Sequence, residues 1–403
     1  MKTNLFSCET FFSLLTKIKF DGRLCYHTLI MEKITQSDVL IIGAGISGCS
    51  TAYYLAKKGI QSTIIDPMGV GEEASGWALG DLNILTGQGL DGPLFEFAKN
   101  SLDMHRLLHE EFLSTLGIDT QLKFLDTSFI AMDELDIKDL EILANQFKKR
   151  KFNFKWMNSS ELLNSEPEIN PNVVGGIIAE GMGLLNPWSL TKAFMEDVEK
   201  NGGHFVKDKV NELIFDNEKI VAVKTTTKTI SCKIIVFAMG PWAIKIQDWV
   251  KNKFLLPVRP VKGQIIRLET NSTPYSYVDW QDTYLVKKSD GLTWVGTTME
   301  ETGFDKAITE EAKKDIISRA AFLSPILKNA KQILQTACLR PVTDDWLPIL
   351  DILPEIDNAY VITGGGRKGI LLAPAMGSFM ANMINDGKPL PENPYGLKRF
   401  TIN

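Results

Sequence analysis

The chain is poor in residues that staple or ligate. Its 403 residues include only five cysteines and four histidines. Cys8, Cys25, Cys49, Cys232 and Cys338 are scattered, odd in number, and form no C-x-x-C. That pattern excludes a disulfide framework and a cysteine zinc site, and fits a reducing cytoplasm. His105 and His109 share helical i, i+4 spacing, but Arg106 stands where the zinc motif H-E-x-x-H needs a glutamate. The pair reads as a solvated helix face, and no metal is expected. No apolar run reaches the length of a membrane-crossing helix, so no transmembrane segment is expected. Net charge is −5, with acids and bases mixed. Without a basic stripe or a block of like charge, nucleic acid is not an expected partner. Internal repeats and low-complexity linkers are missing too.

What the chain does have is glycine in ordered places. Ser37 to Asp66 reads "SDVLIIGAGISGCSTAYYLAKKGIQSTIID". The apolar run to Ile42 suits a buried parallel strand. Gly43, Gly45 and Gly48 then match G-x-G-x-x-G, a helix carries on to Gly59, and "STIID" forms a second strand. In such a unit the first glycine allows a tight turn. The second lets the backbone approach a pyrophosphate, and the third lets helix and strand pack closely. The helix N-terminus, at Ile46 and Ser47, offers free N–H groups to phosphate. Asp66 is placed to accept from ribose hydroxyls.

Further along, the pattern predicts helices from Pro93 to Leu116 and from Ile137 to Lys149. Asn186 reads as an N-cap with Pro187 at the first helical position. Short strands follow, and "CKIIVFAMG" returns to the first sheet. Asp290-Gly291 between two apolar runs signals a hairpin. "AYVITGGG" is a last strand, followed by a helix from Ile370 to Asn385. Within "TGGGRKGILLAPAMG", Gly369 follows Lys368, where a phosphate-binding P-loop needs serine or threonine. The expected fold class is α/β, a Rossmann-like domain interleaved with an antiparallel-sheet domain. Its discontinuous pieces are 37–95, 170–250 and 335–391 for the cofactor, and 96–169 and 251–334 for the substrate. Residues 1–36 read as a disordered or non-native extension, with a start at Met31 preferred, and 392–403 as a tail.

Several segments in this order resemble one family. They are the glycine motif, "EEASGWALGDLN", "IVFAMGPWA", "PVRPVKGQIIRLE", "YLVKKSDGLTWVGTTMEETGFD", "LRPVTDDWLPILD" and "GGGRKGILLAP". Together they are similar to the D-amino-acid oxidase superfamily of flavoproteins, in its glycine oxidase and sarcosine oxidase branch. The resemblance covers Ser37 to Pro391. It implies noncovalent FAD and a small amino acid or secondary amine, oxidised to an imine that hydrolyses to the oxo acid. The electron acceptor it implies is oxygen or, in a dehydrogenase, a quinone or carrier. A flavin-binding protein without turnover is the remaining alternative. A homo-oligomer is compatible with it.

The resemblance also assigns residues. Arg340 and Arg367 would hold the substrate carboxylate, with Tyr284 lining that site. Arginine suits this role because its planar fork binds a carboxylate bidentately. A salt bridge to Asp344 or Asp345 is the plain alternative for Arg340. Ser75 and Gly76 would pass beside the flavin, Val210 near the adenine, and Gly240 at the returning turn. Gly364, Gly366, Gly369 and Ile370 would bring backbone and a helix N-terminus to the flavin ring. Lys368 goes with this loop as a solvated neighbour. Gly365 replaces a histidine that many relatives carry. No side-chain general base is visible.

Overall fold

The computed structural model describes residues 35–90, 92–250, 256–271, 276–387 and 392–400. The expectation for residues 1–36 therefore falls almost wholly outside the described residues. The unit described below is Gln36–Asn403.

The glycine motif folds as read. Strand Gln36–Ile42 enters a turn, helix Ile46–Ala56 follows, and strand Ser62–Ile65 pairs in parallel with the first. Two positions of the turn admit only glycine. Gly43 has φ +110°, and a Cβ there would lie 2.2 Å from the carbonyl oxygen of Ala238. A Cβ on Gly48 would lie 2.0 Å from the carbonyl oxygen of Gly43. This tight crossing lets strand Thr229–Phe237 run parallel to the opening strand on its other side.

Two sheets organise the chain. In the first, the strands stand in the order Ile349–Ile352, Ala359–Thr363, Thr229–Phe237, Gln36–Ile42, Ser62–Ile65, His204–Val206. All pairs on this path are parallel except the outermost one at Ile349–Ile352. The hairpin Val210–Asp216 and Lys219–Thr225 joins it antiparallel. Among the described residues the second sheet has nine strands and is antiparallel apart from Tyr277–Trp280 beside Lys123–Ala131. Asp290-Gly291 turns the hairpin between Thr283–Lys287 and Thr293–Gly296, with Gly291 at φ +79°. Strands Asp81–Leu82 and Gly175–Leu184, which sequence grouped with the cofactor pieces, pair within this second sheet.

The predicted helices occupy Leu94–Leu116 and Glu134–Arg150. Asn186 caps helix Pro187–Lys200 by accepting from the amides of Trp188 and Ser189. No helix among the described residues is long and apolar enough to cross a membrane.

The last helix, Gly369–Asp386, contains Pro374. Proline has no N–H, so the Ile370 carbonyl loses its helical donor. His105 replaces it, with Nε2 3.0 Å from Ile370 O and 3.1 Å from Leu371 O. Ser101 Oγ accepts from the Ala375 amide at 3.1 Å. His105 is therefore not on a solvated face; it is 1% exposed and bolts two helices together. His109 instead pairs through Nδ1 with Thr120 Oγ1 at 2.8 Å.

Burial drives the His105 pKa down to about 4. An unfolded chain would bind the proton nearer 6.5, so acid favours unfolding between those two values. At pH 5 the loss is about 2 kcal/mol relative to neutral pH. His105→Gln should remove this contribution to the acid limb. Denaturant midpoints at pH 7 and pH 5 check it, and equal acid losses in both proteins would clear His105 of the role.

Candidate active site

A cavity of about 580 Å³ extends from the glycine turn to the second sheet. Gly43, Gly45, Ile46, Ser47, Asp66 and Val210 line one end. Helix Ile46–Ala56 opens on it with no cap from its N-cap residue, Gly45, which leaves the first-turn N–H groups beyond Ile46 available to an anion. Ser75 braces that end, its Oγ accepting from the Ile46 amide at 2.9 Å. Asp66 secures the loop through its own carboxylate: Oδ2 accepts from Ala44 N at 3.0 Å, and Oδ1 from Met68 N at 2.8 Å. Gly240 forms the middle of the wall, and Gly366, Gly369 and Ile370 close it with the start of the last helix.

Four residues of these motifs are off this wall. Gly48 packs on Gly43, and Gly76 on the Gly71 carbonyl, where a Cβ would lie at 2.3 Å. Gly364 turns at φ +76° against the backbone of Leu347 and Ile349. These three are packing glycines. Lys368 faces a different cavity. It is also not a solvated neighbour: Nζ donates to the carbonyls of Asn83 at 2.8 Å and Thr86 at 2.6 Å. Burial pulls its pKa down to about 8.

Tyr284, Arg340 and Arg367 converge at the far end of the first cavity. They come from a hairpin strand, the strand Lys331–Val342 and the glycine turn. Arg340 lies across Gly263, where any Cβ would meet the guanidinium at 2.1 Å. Its Nη1 donates to Thr298 O at 3.1 Å and its Nη2 to Thr297 Oγ1 at 2.9 Å. It has no carboxylate partner among the described residues. Asp344 pairs with Arg259 and Asp345 with Arg399, so the plain salt-bridge alternative does not hold. Desolvation works against the Arg340 charge and lowers its pKa. The Tyr284 hydroxyl is buried and has no hydrogen-bond partner among the described residues. Arg367, by contrast, pairs with Asp282 at 2.6 Å.

A second cavity of about 430 Å³ adjoins the first. Asp81, Tyr277, Gly365 and Arg367 line both. Asp279 lines the second, and burial raises its carboxyl to about 7, with Arg367 opposing. Asp81 and Asp279 escaped sequence reading. The one available signal for Asp81 was an acid inside the otherwise small and apolar stretch "ASGWALGDLN".

This arrangement can do two things. One end supplies N–H groups and a helix terminus for a pyrophosphate. The other holds a fork-shaped cation and an unsatisfied hydroxyl for a carboxylate.

Comparison with known proteins fits this division. The family model described as "FAD dependent oxidoreductase" (DAO) matches residues 38–383. Glycine oxidase of Bacillus licheniformis is 27% identical over 86% of this chain and 92% of its own. Hydrogen cyanide synthase subunit HcnC of Pseudomonas protegens is 25% identical over 91% and 97%. The crystal structure of glycine oxidase from Geobacillus kaustophilus superposes with a TM-score of 0.83 at 26% identity, covering 91% of this chain and 99% of that one.

Proposed function

This chain belongs to the family of FAD-dependent oxidoreductases, and we propose that it oxidises the C–N bond of a small amino acid or secondary amine. The observation that carries this reading is the far end of the cavity. An unpaired Arg340 guanidinium and a partnerless buried Tyr284 hydroxyl face the same space. A buried cation without a counterion is costly, and a substrate carboxylate would relieve it. Relatives named glycine oxidase support the substrate class.

FAD fits the residues present. The glycine turn and the uncapped helix would hold its pyrophosphate, Asp66 its ribose, and Val210 its adenine end. Once bound, the flavin supplies a hydride acceptor. The rest falls to the protein. Arg340 and Tyr284 would fix the carboxylate and so aim the α-C–H bond. The helix starting at Gly369 would direct its positive N-terminal dipole at developing negative charge. The first sheet would serve as the cofactor domain and most of the second as the substrate domain. Cys338 also lines the cavity, but burial raises its pKa.

An anaerobic flavin-reduction screen over glycine, sarcosine, D-amino acids, proline and hydroxy acids tests the reading. Bleaching by a carboxylate-bearing amine supports it, and bleaching by hydroxy acids alone defeats it. An oxygen electrode with and without a dye acceptor then separates oxidase from dehydrogenase.

Asp282 provides a contrasting, small effect. Its side chain is 67% exposed, and exposed ion pairs contribute about 0–1 kcal/mol. Asp282→Asn should therefore change kcat/KM by less than about fivefold. A loss of a hundredfold would make Asp282 part of the binding site.

A further inference from the structure

Two charges of opposite sign stand unpaired at the same end of the first cavity. One is Arg340. The other is Asp81, whose carboxylate has no hydrogen-bond or ion-pair partner among the described residues. Its neighbours of charge are already engaged. Arg367 is held by Asp282, Lys368 by two carbonyls, and Lys288 by the carbonyls of Leu79 and Leu185. Asp81 is close enough to act electrostatically on Tyr277, Tyr284, Arg340 and Arg367. Its backbone is fixed by pairing with Leu184 in the second sheet. Both charges act on Tyr284, which is 5% exposed and whose hydroxyl has no hydrogen-bond partner among the described residues. An anion and a cation left without ion-pair partners among the described residues, lining one cavity, call for a ligand that carries both complements.

We propose that Asp81 binds the ammonium group of the substrate and accepts its proton, so that the cavity selects a zwitterionic amino acid over a simple amine, a hydroxy acid or a plain carboxylate. This deepens the functional reading above and rests on it. The carboxylate of the zwitterion meets Arg340 and Tyr284, and its ammonium meets Asp81. The chemistry also needs this acid. Hydride can leave the α-carbon only when the nitrogen has a free electron pair to form the imine, and an ammonium has none. One N–H bond breaks, its electron pair stays on nitrogen, and an O–H bond forms on Asp81. Because Asp81 also lines the second cavity, the proton has an exit that does not cross the bound substrate.

The test uses the full chain with FAD bound. Propionate binding is followed by the flavin absorbance change, and amino-acid turnover by anaerobic flavin reduction. Asp81→Asn should move the two readouts in opposite directions. Propionate should bind more tightly, because a repelling carboxylate is gone. The kcat/KM for the amino acid should fall at least about a hundredfold at pH 7, and the deficit should shrink about tenfold per pH unit toward the amine pKa. A parallel weakening of both at every pH would reduce Asp81 to a structural residue and overturn the proposal.

The titratable and charged groups facing Asp81 are Tyr277, Asp279 and Tyr284, together with Lys288, Arg340, Arg367 and Lys368. The same profiles with Asp279→Asn remove the one other carboxyl among them. A limb that vanishes there and persists in Asp81→Asn would overturn the assignment to Asp81. If Asp81→Asn fails to retain FAD, the native profile decides. Its kcat/KM should hold well below the amine pKa, and a tenfold fall per unit from pH 9 to pH 6 overturns the proposal. If no amino acid reduces the flavin, the functional reading fails, and the propionate titration still reports on Asp81.

Discussion

Arg340→Ala should raise KM for a carboxylate substrate by about 2–5 kcal/mol, the range for removing one partner of a desolvated charge pair. That corresponds to roughly thirtyfold to several-thousandfold. The size of the effect follows from the burial of the guanidinium and its lack of any acid partner among the described residues. Its hydrogen bonds go to Thr298 O, Thr297 Oγ1 and the Met299 sulfur, all uncharged. Those contacts orient the fork without neutralising it, so its charge is available to the ligand. Arg340→Lys should restore little, because an ammonium cannot form the paired bonds of a planar guanidinium. Gly263→Ala offers an independent route to the same loss, since a Cβ there would occupy the guanidinium's place at 2.1 Å. Steady-state kinetics on all three variants checks the prediction. An Arg340→Ala enzyme with unchanged KM would remove the residue from the site.

Gly45→Val should yield folded protein that does not retain flavin. A Cβ on Gly45 would meet only Ser75 Oγ, at 3.3 Å, so the fold can adjust. The two further methyl groups of valine would stand where the cavity admits the pyrophosphate. Gly48→Ala should behave differently and cost the fold itself, since its Cβ would strike backbone oxygen at 2.0 Å. Overpacking of this kind typically costs about 1–3 kcal/mol and more where backbone must move. Visible absorbance against far-UV circular dichroism separates the two outcomes. A Gly45→Val protein that purifies fully yellow would refute the pyrophosphate assignment.

The features legible in the sequence are those set by neighbours in the chain. The strand, turn and helix at Gln36–Ile65 follow from an apolar run and glycines within thirty residues. The Asn186 cap and the Asp290-Gly291 turn are likewise local hydrogen-bonding and φ requirements. Grouping Arg340, Arg367 and Tyr284 at one site needed the family resemblance, because no local rule links a hairpin, a long strand and a glycine turn. The structure brings all three to one cavity wall.

His105 shows what sequence could not give. Its i, i+4 spacing with His109 suits a solvated face, yet its partner is a carbonyl freed by Pro374, far along the chain. Lys368 looked like a surface lysine because its two acceptors are backbone oxygens, which no sequence pattern displays. Gly48 packs as its place in the motif requires, whereas Gly76 and Gly364 belong to turns near the cofactor cavity yet pack on their neighbours rather than line it. Asp81 lies in a stretch of small residues, and its lack of a partner emerges only when the second sheet brings it near Arg340. By itself, then, the sequence determined the dinucleotide-type turn and the α/β class, and through its family resemblance it named two candidate carboxylate-binding arginines. Which arginine stays unpaired, which histidine is buried and which acid faces the cavity were decided by tertiary structure. Charge pairing and burial depend on residues that are distant in the chain and adjacent only after folding.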